Sequence, residues 1–326
     1  MTRTASAARW LTRRAVFAML VVAGVTTFTF ILIHLAPGDP IYLLAGDGGN
    51  ASYYNEMRAK YGLDLPLLEQ FVRYARAVMS GDFGYSFMYQ QPVLRVLRDH
   101  LPATLLLGGT SLLFAVALGF GAALLCVTWP VRVVDAAVRG AASIAFSAPV
   151  YWTGQVFILI AAVKLGVLPA GGITSARESL EGFRYAGDLF WHLLLPAFTL
   201  ALPFAAVVTR VSRASMLETL REPHVRAALA RGLSRPRLIL RHVARNASIP
   251  VVTLVGQHAA QLLAGAALTE ALFGWPGVGH LVLHAGAHRD YPLVTAAFIF
   301  ISAGVVFFNL LTDAATAWLD PRVRLA

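Results

Sequence analysis

Residues 100–130 read HLPATLLLGGTSLLFAVALGFGAALLCVTWP, a stretch without one Asp, Glu, Lys or Arg. A helix needs roughly 20 apolar residues to cross a hydrocarbon core of about 30 Å, and this stretch exceeds that length. Five further windows share its character: 15–38, 140–163, 189–209, 246–269 and 291–312. Their apolar residues occupy every face and do not alternate with period two, so helices are expected and a closed barrel is not. The fold expected is all-α: a polytopic membrane protein of about six transmembrane helices.

The bulk composition agrees. Hydrophobic residues make up 57% of the chain, charged residues 13%, and the mean hydropathy is +0.64, whereas a soluble domain carries roughly a quarter charged residues. The first window follows Arg3, Arg9, Arg13 and Arg14, which also suits a signal peptide. Its apolar run is longer than a signal core of roughly 7–15 residues, and no Ala-x-Ala-like cleavage site follows that run before Pro37, so a retained first helix is expected. Cys126 is the sole cysteine, which excludes an internal disulfide and suits a packed apolar thiol.

Charge sets the orientation. With the amino terminus inside, seventeen of the 27 Lys and Arg fall in cytoplasmic segments, nine of them within 210–245. Positive residues accumulate on the cytoplasmic side of membrane proteins, so both termini are expected there. The net charge of +10 is then explained by cytoplasmic loops near anionic lipid, and nucleic acid is not an expected partner.

Three regions lie outside the windows. The segment 39–99 is the longest, and 53–80 within it mixes apolar and charged residues at helical spacing. The segment 165–188 holds Gly171, Gly172 and Gly182 and reads as turns with room for one short helix. The expected organisation is a first transmembrane helix with a long extracytoplasmic loop over 1–102, and a core domain over 103–326.

The third region, 210–245, is the most specific. Val225, Ala228, Leu229, Gly232 and Leu233 recur at the spacing of one apolar helix face. Pro223 suits a first helical turn, and Glu222 beside it favours the positive end of the dipole. A short amphipathic cytoplasmic helix over 222–233 follows. It can lie on lipid, but the face lacks an aromatic residue, and Ala228 and Gly232 flatten it in a way that suits another protein surface.

This segment resembles the coupling-helix signature of bacterial ABC importer permeases, with Ala227, Ala228 and Gly232 in the pattern's small positions. Other segments resemble the dipeptide, oligopeptide and nickel branch of that family: Leu35-Ala-Pro-Gly-Asp-Pro40, Tyr61-Gly-Leu-Asp64, Gly81-Asp-Phe-Gly84, Ser147-Ala-Pro-Val-Tyr-Trp152, Phe273-Gly-Trp-Pro-Gly-Val-Gly279, Arg289-Asp-Tyr-Pro292 and Asp320-Pro-Arg322. The branch departs from this chain at Pro223-His224, where it usually carries an acidic residue and then Tyr. The resemblance implies the fold of a type I importer permease, docked through Glu222, His224, Val225, Arg226, Ala227, Ala228, Arg231 and Gly232 on an ATPase subunit, with the arginines able to pair with acids there. It further implies a homologous second permease, two ATPase subunits carrying ATP and Mg, and an extracytoplasmic solute-binding protein. Asp39, Asp82, Trp275 and Asp290 are expected on the receptor side.

The chain itself is not expected to be an enzyme or to hold a cofactor. Its only lysines, Lys60 and Lys164, lie in no phosphate-binding loop, and neither a Gly-x-Ser-x-Gly elbow nor a His-Glu-x-x-His site occurs. His280, His284 and His288 recur every four residues, a spacing at which a helix can share a metal and which would suit nickel. Gly279 and Gly286 weaken a helix there, surface histidines without a ligand are the commoner case, and no metal is assigned. Glu270 and Asp313 are the carboxylates nearest the membrane interior, a feature that an ATP-independent secondary transporter uses for proton relay; both lie near window ends, where water or a capping partner reaches them. Pro37, Pro149 and Pro196 at or near membrane depth favour a moving transporter over a passive membrane anchor. Peptide is the expected cargo.

Overall fold

A computed structural model of the chain describes residues 2–35, 51–61, 64–175 and 181–319. Among these it is almost wholly helical. The helices are α1 (Thr2–Leu35), α2 (Ala51–Tyr61), α3 (Leu67–Met79), α4 (Val93–Thr128), α5 (Arg132–Ser147), α6 (Val150–Phe157), α7 (Gly182–Thr219), α8 (Pro223–Ala230), α9 (Arg235–Leu238), α10 (Ala244–Gly265), α11 (Ala267–Phe273), α12 (Val278–Ala287) and α13 (Tyr291–Leu319). A π-turn over Ile158–Lys164 prolongs α6, and another over Ile239–Val243 joins α9 to α10. One two-stranded antiparallel hairpin, β1 (Tyr85–Ser86) and β2 (Gln91–Pro92), pairs Tyr85 with Pro92 and Ser86 with Gln91.

Five of the six apolar windows are continuous helices long enough to cross a membrane: Thr12–Leu32, Val93–Thr128, Gly182–Thr219, Arg235–Leu262 and Tyr291–Ala314. The window 140–163 is not a straight span. Arg132–Ser147 and Val150–Lys164 meet at 108°, because a proline ring clashes with helical backbone at the residue before it. Ala148, ahead of Pro149, accordingly leaves the helix at φ −74° and ψ 131°. Pro196 behaves differently: it and Pro203 sit inside the unbroken α7. The apolar part of α7 is the most buried of the spans, and neighbouring helices there can re-satisfy the backbone groups that proline frees. Pro37 lies outside the described residues, as do residues 36–40 and Asp320-Pro-Arg322 of the motifs quoted above.

The chain divides into two compact units, 1–102 with 280–304, and 103–279 with 305–326. In the first, the segment expected to be helical around 53–80 forms α2 and α3. Phe30 of α1 packs edge-on against Phe71 of α3 at 5.3 Å between ring centres, and the His34 ring nitrogen Nε2 pairs with Gln70 Oε1 at 3.1 Å.

In the second unit α7 is the central element. Ala197, Leu200 and Leu193 pack with Leu107, Leu262 and Trp275. Further along, Ala201, Phe204, Ala205 and Val208 pack with Ala115 and Val251. Gly119 of α4 makes the closest approach, for a β-carbon there would sit 2.5 Å from the Ala205 carbonyl oxygen and 2.7 Å from Val208 Cβ. Small residues at such crossings let helices associate in lipid, where no hydrophobic force draws them together.

Candidate functional site

The segment 219–233 is built by its local chemistry. After α7 ends at Thr219, the Arg221 and Glu222 amides donate to the carbonyls of Glu218 and Thr219 at 2.9 and 3.1 Å, turning the chain. Glu222 precedes a proline and is extended, at φ −68° and ψ 144°. Pro223 then opens α8, where its missing N–H costs nothing. The Glu222 carboxylate meets the His224 ring at 3.0 Å. The helix closes with the Gly232 amide donating to the Leu229 carbonyl at 3.0 Å. Gly232 has φ +85° and open space around its β-position, so glycine serves backbone conformation there and not close packing.

The helix runs over Pro223–Ala230, shorter at both ends than the 222–233 expected: Glu222 and Arg231 flank it as caps. Its expected single apolar face is divided. Val225 is 1% exposed and packs in a cluster with Met216, Leu238, Ile239, Ala123 and Val127; Ala228 lies half-buried at the edge of this cluster. Leu229 is 54% exposed, and Arg226, Ala227, Arg231 and Gly232 are exposed with it. One side of α8 therefore anchors to the protein, and the other presents Leu229 and small residues flanked by two arginines. The following helix is fixed by Arg235, whose Nη2 donates to the Val127 carbonyl at 3.2 Å.

The residues expected on the receptor side differ in exposure. Asp39 lies outside the described residues. Asp82 is exposed and accepts the Gly84 amide at 3.0 Å, bracing a turn with Gly81 and Gly84 both at φ +79°. Asp290 is 1% exposed; its carboxylate accepts from the Ser86 hydroxyl, from the Met88 amide at 3.1 Å and from the Leu293 amide at 3.4 Å. It ties the β1–β2 hairpin to the start of α13. Burial, and then the Asp290 charge, push the nearby Tyr89 phenol above its usual range.

In the second unit Trp275 is fully buried, with its indole N–H donating to the Ala103 carbonyl at 2.8 Å. Trp275 and Asp290 are thus buried, and their side chains brace their own loops from within. Glu270 is also fully buried, away from the interfacial water its position suggested. Its carboxylate accepts the Thr104 hydroxyl at 2.8 Å, and that hydroxyl in turn accepts the Val278 amide at 2.8 Å. Gly277 leaves the room, since a β-carbon there would fall within 3.0 Å of the Glu270 carboxyl atoms. The Phe273–Gly279 motif is thus pinned to α4 at Thr104 and Ala103. Sequence reasoning missed Thr104 and Ser86, since a hydroxyl amid apolar or turn residues carries no signal of a distant carboxylate.

The histidine triplet is a row on α12 and the turn after it. The His280 and His284 rings stack at 5.9 Å, and those of His284 and His288 lie at 4.5 Å. Burial, and then His284 and His100, push His280 below the usual imidazole range. Among the described residues no three His, Cys, Asp or Glu side chains group as a metal site. An apolar groove of about 100 Å³ is lined by Thr104, Gly108, Leu112, Ala259, Leu262 and Phe308.

The similarity to known proteins covers nearly the whole chain. Residues 115–325 match the family described as "Binding-protein-dependent transport system inner membrane component", and residues 7–108 match the N-terminal family of the same membrane components. The dipeptide transport system permease protein DppB of Escherichia coli K12 is 34% identical over 334 residues, 97% of this chain and 98% of that protein. The probable D,D-dipeptide transport system permease protein DdpB of the same strain is 38% identical over 320 residues, 94% of each. Among solved structures, an amino acid ABC transporter crystallised with histidines shares the fold over 71% of this chain and 95% of its own, with a TM-score of 0.50 at 14% identity.

Proposed function

We propose that this chain, which belongs to the binding-protein-dependent transport system inner membrane component family, pairs with a homologous permease to form the pathway by which an ATP-driven importer carries di- and oligopeptides. The observation that carries the reading is the near-full-length similarity to dipeptide permeases. Energy enters from elsewhere, because the family consists of membrane permeases and hydrolysis belongs to separate subunits. Two ATPase subunits holding ATP and Mg would dock below, with one receiving the exposed side of α8, where Arg226 and Arg231 suit acidic partners. A solute-binding protein would deliver cargo from outside, on the side of the 81–84 turn. The charge asymmetry between loops supports a multi-pass protein of the bacterial cytoplasmic membrane with both termini inside.

Co-expression of the chain with its neighbouring genes tests the reading. An ATPase subunit co-purifies, and its hydrolysis rises when peptide-loaded binding protein is added. Purification of the chain without any ATPase subunit would remove the importer assignment.

A further inference from the structure

The first limb of the broken span, α5, is gripped at both of its ends by the helix that leads to the docking segment. Arg213 of α7 donates from Nε to Asp135 Oδ1 at 2.6 Å and from Nη2 to Oδ2 at 3.0 Å. One turn earlier on α7, Arg210 lies over the Phe146 ring at 4.4 Å from its centre. Asp135 stands in the first turn of α5 and Phe146 in its last, beside the Ala148–Pro149 elbow. From Arg213 the same helix continues to Thr219, and only Leu220, Arg221 and Glu222 separate it from α8. The bidentate pair is only partly exposed, and a fork of two charge-assisted bonds fixes orientation as well as distance.

We propose that the Asp135–Arg213 pair, with Arg210 on Phe146, is a coupling latch: it makes α5 move with α7 and the docking segment, so that the elbow at Ala148–Pro149 absorbs their motion relative to α6. This deepens the importer reading and rests on it. The residues are positioning residues, for none lies on the exposed side of α8. The two partners are not equivalent. Asp135 also accepts Arg139 Nε at 3.0 Å, so removing its charge leaves two guanidinium groups facing each other. Removing Arg213 leaves an intact pair inside α5 that no longer reaches α7.

The test uses the whole importer in liposomes, with its ATPase subunits and binding protein. In Asp135→Asn, hydrolysis stays within a factor of about two while peptide taken up per ATP falls by about ten-fold, the size of an ordinary coupling energy. Arg213→Gln loses less, and the exchanged pair Asp135→Arg with Arg213→Asp regains most of the coupling. Uptake per ATP close to the parent's in Asp135→Asn, or an exchanged pair no better than the single variants, overturns the latch. If the variants fail to assemble, nitroxide labels at the exposed Ile144 and Leu217 decide in the otherwise unchanged chain. Their separation holds within about 2 Å between nucleotide-free and ATP-trapped importer, the scale of small helix shifts, and a larger change refutes the latch. Failure of any ATPase subunit to bind the parent chain would instead defeat the importer reading.

Discussion

Gly277→Ala is the most discriminating substitution the structure offers, because one added carbon meets a buried carboxylate. The new β-carbon would stand within 3.0 Å of three atoms of Glu270, a side chain with no exposed surface. Glu270 must therefore move, or the backbone at 277 must. Forcing packed atoms aside costs about 1–3 kcal/mol. Displacing Glu270 from the Thr104 hydroxyl at 2.8 Å forfeits a buried hydrogen bond, worth about 0.5–1.5 kcal/mol. Together these predict a loss of about 1.5–4.5 kcal/mol, read as the shift in thermal or denaturant unfolding of the purified chain in detergent. The mechanism is separable from generic damage by a double-mutant cycle. With Glu270→Ala in place the obstruction is gone, and Gly277→Ala should cost less than about 1 kcal/mol, the scale of an ordinary Gly-to-Ala change. An equal cost in both backgrounds would refute the argument, since the strain would then lie in the loop backbone and not against the carboxylate.

Further outcomes follow from the same geometry. Val225→Ala, which empties a site 1% exposed, should destabilise the chain by about 1–3 kcal/mol, whereas Leu229→Asp should leave unfolding unchanged and weaken co-purification of the ATPase subunit. Asp290→Ala should free the β1–β2 hairpin, seen as faster hydrogen exchange at the Met88 amide that it accepts and faster proteolysis at 85–92. Trp275→Phe keeps the burial but removes the indole N–H bond to the Ala103 carbonyl, at a cost of about 0.5–1.5 kcal/mol in unfolding. His280 is a base held below its usual range by burial and by His284 and His100. The folded chain thus binds that proton less readily than the unfolded chain, and stability should fall as pH drops below about 6.5. His280→Gln should flatten that part of the profile.

The six apolar windows were legible because crossing lipid demands a long uncharged run, a property of consecutive residues alone. The motif order from 35 to 322 was likewise enough to recognise the family, and Pro223 marked the start of α8 because its constraint is local. What stayed hidden was which partner each side chain finds. Val225 and Leu229 occupy one helical face by spacing, yet Val225 is inside and Leu229 outside, because Met216 and Ile239 cover only part of that face. Pro149 and Pro196 are the same residue in similar apolar surroundings. The first breaks its helix, whereas the second sits inside the unbroken α7 among neighbouring helices that can re-satisfy the backbone groups proline frees. Glu270 reaches Thr104 across 166 residues, Asp290 reaches Ser86 across 204, and Asp135 reaches Arg213 across 78. Sequence therefore determined that the chain spans a membrane and roughly where its apolar helices lie. The tertiary fold alone decided which carboxylates became buried pins and which helix face remained open to a partner, because burial depends on what the rest of the chain brings alongside.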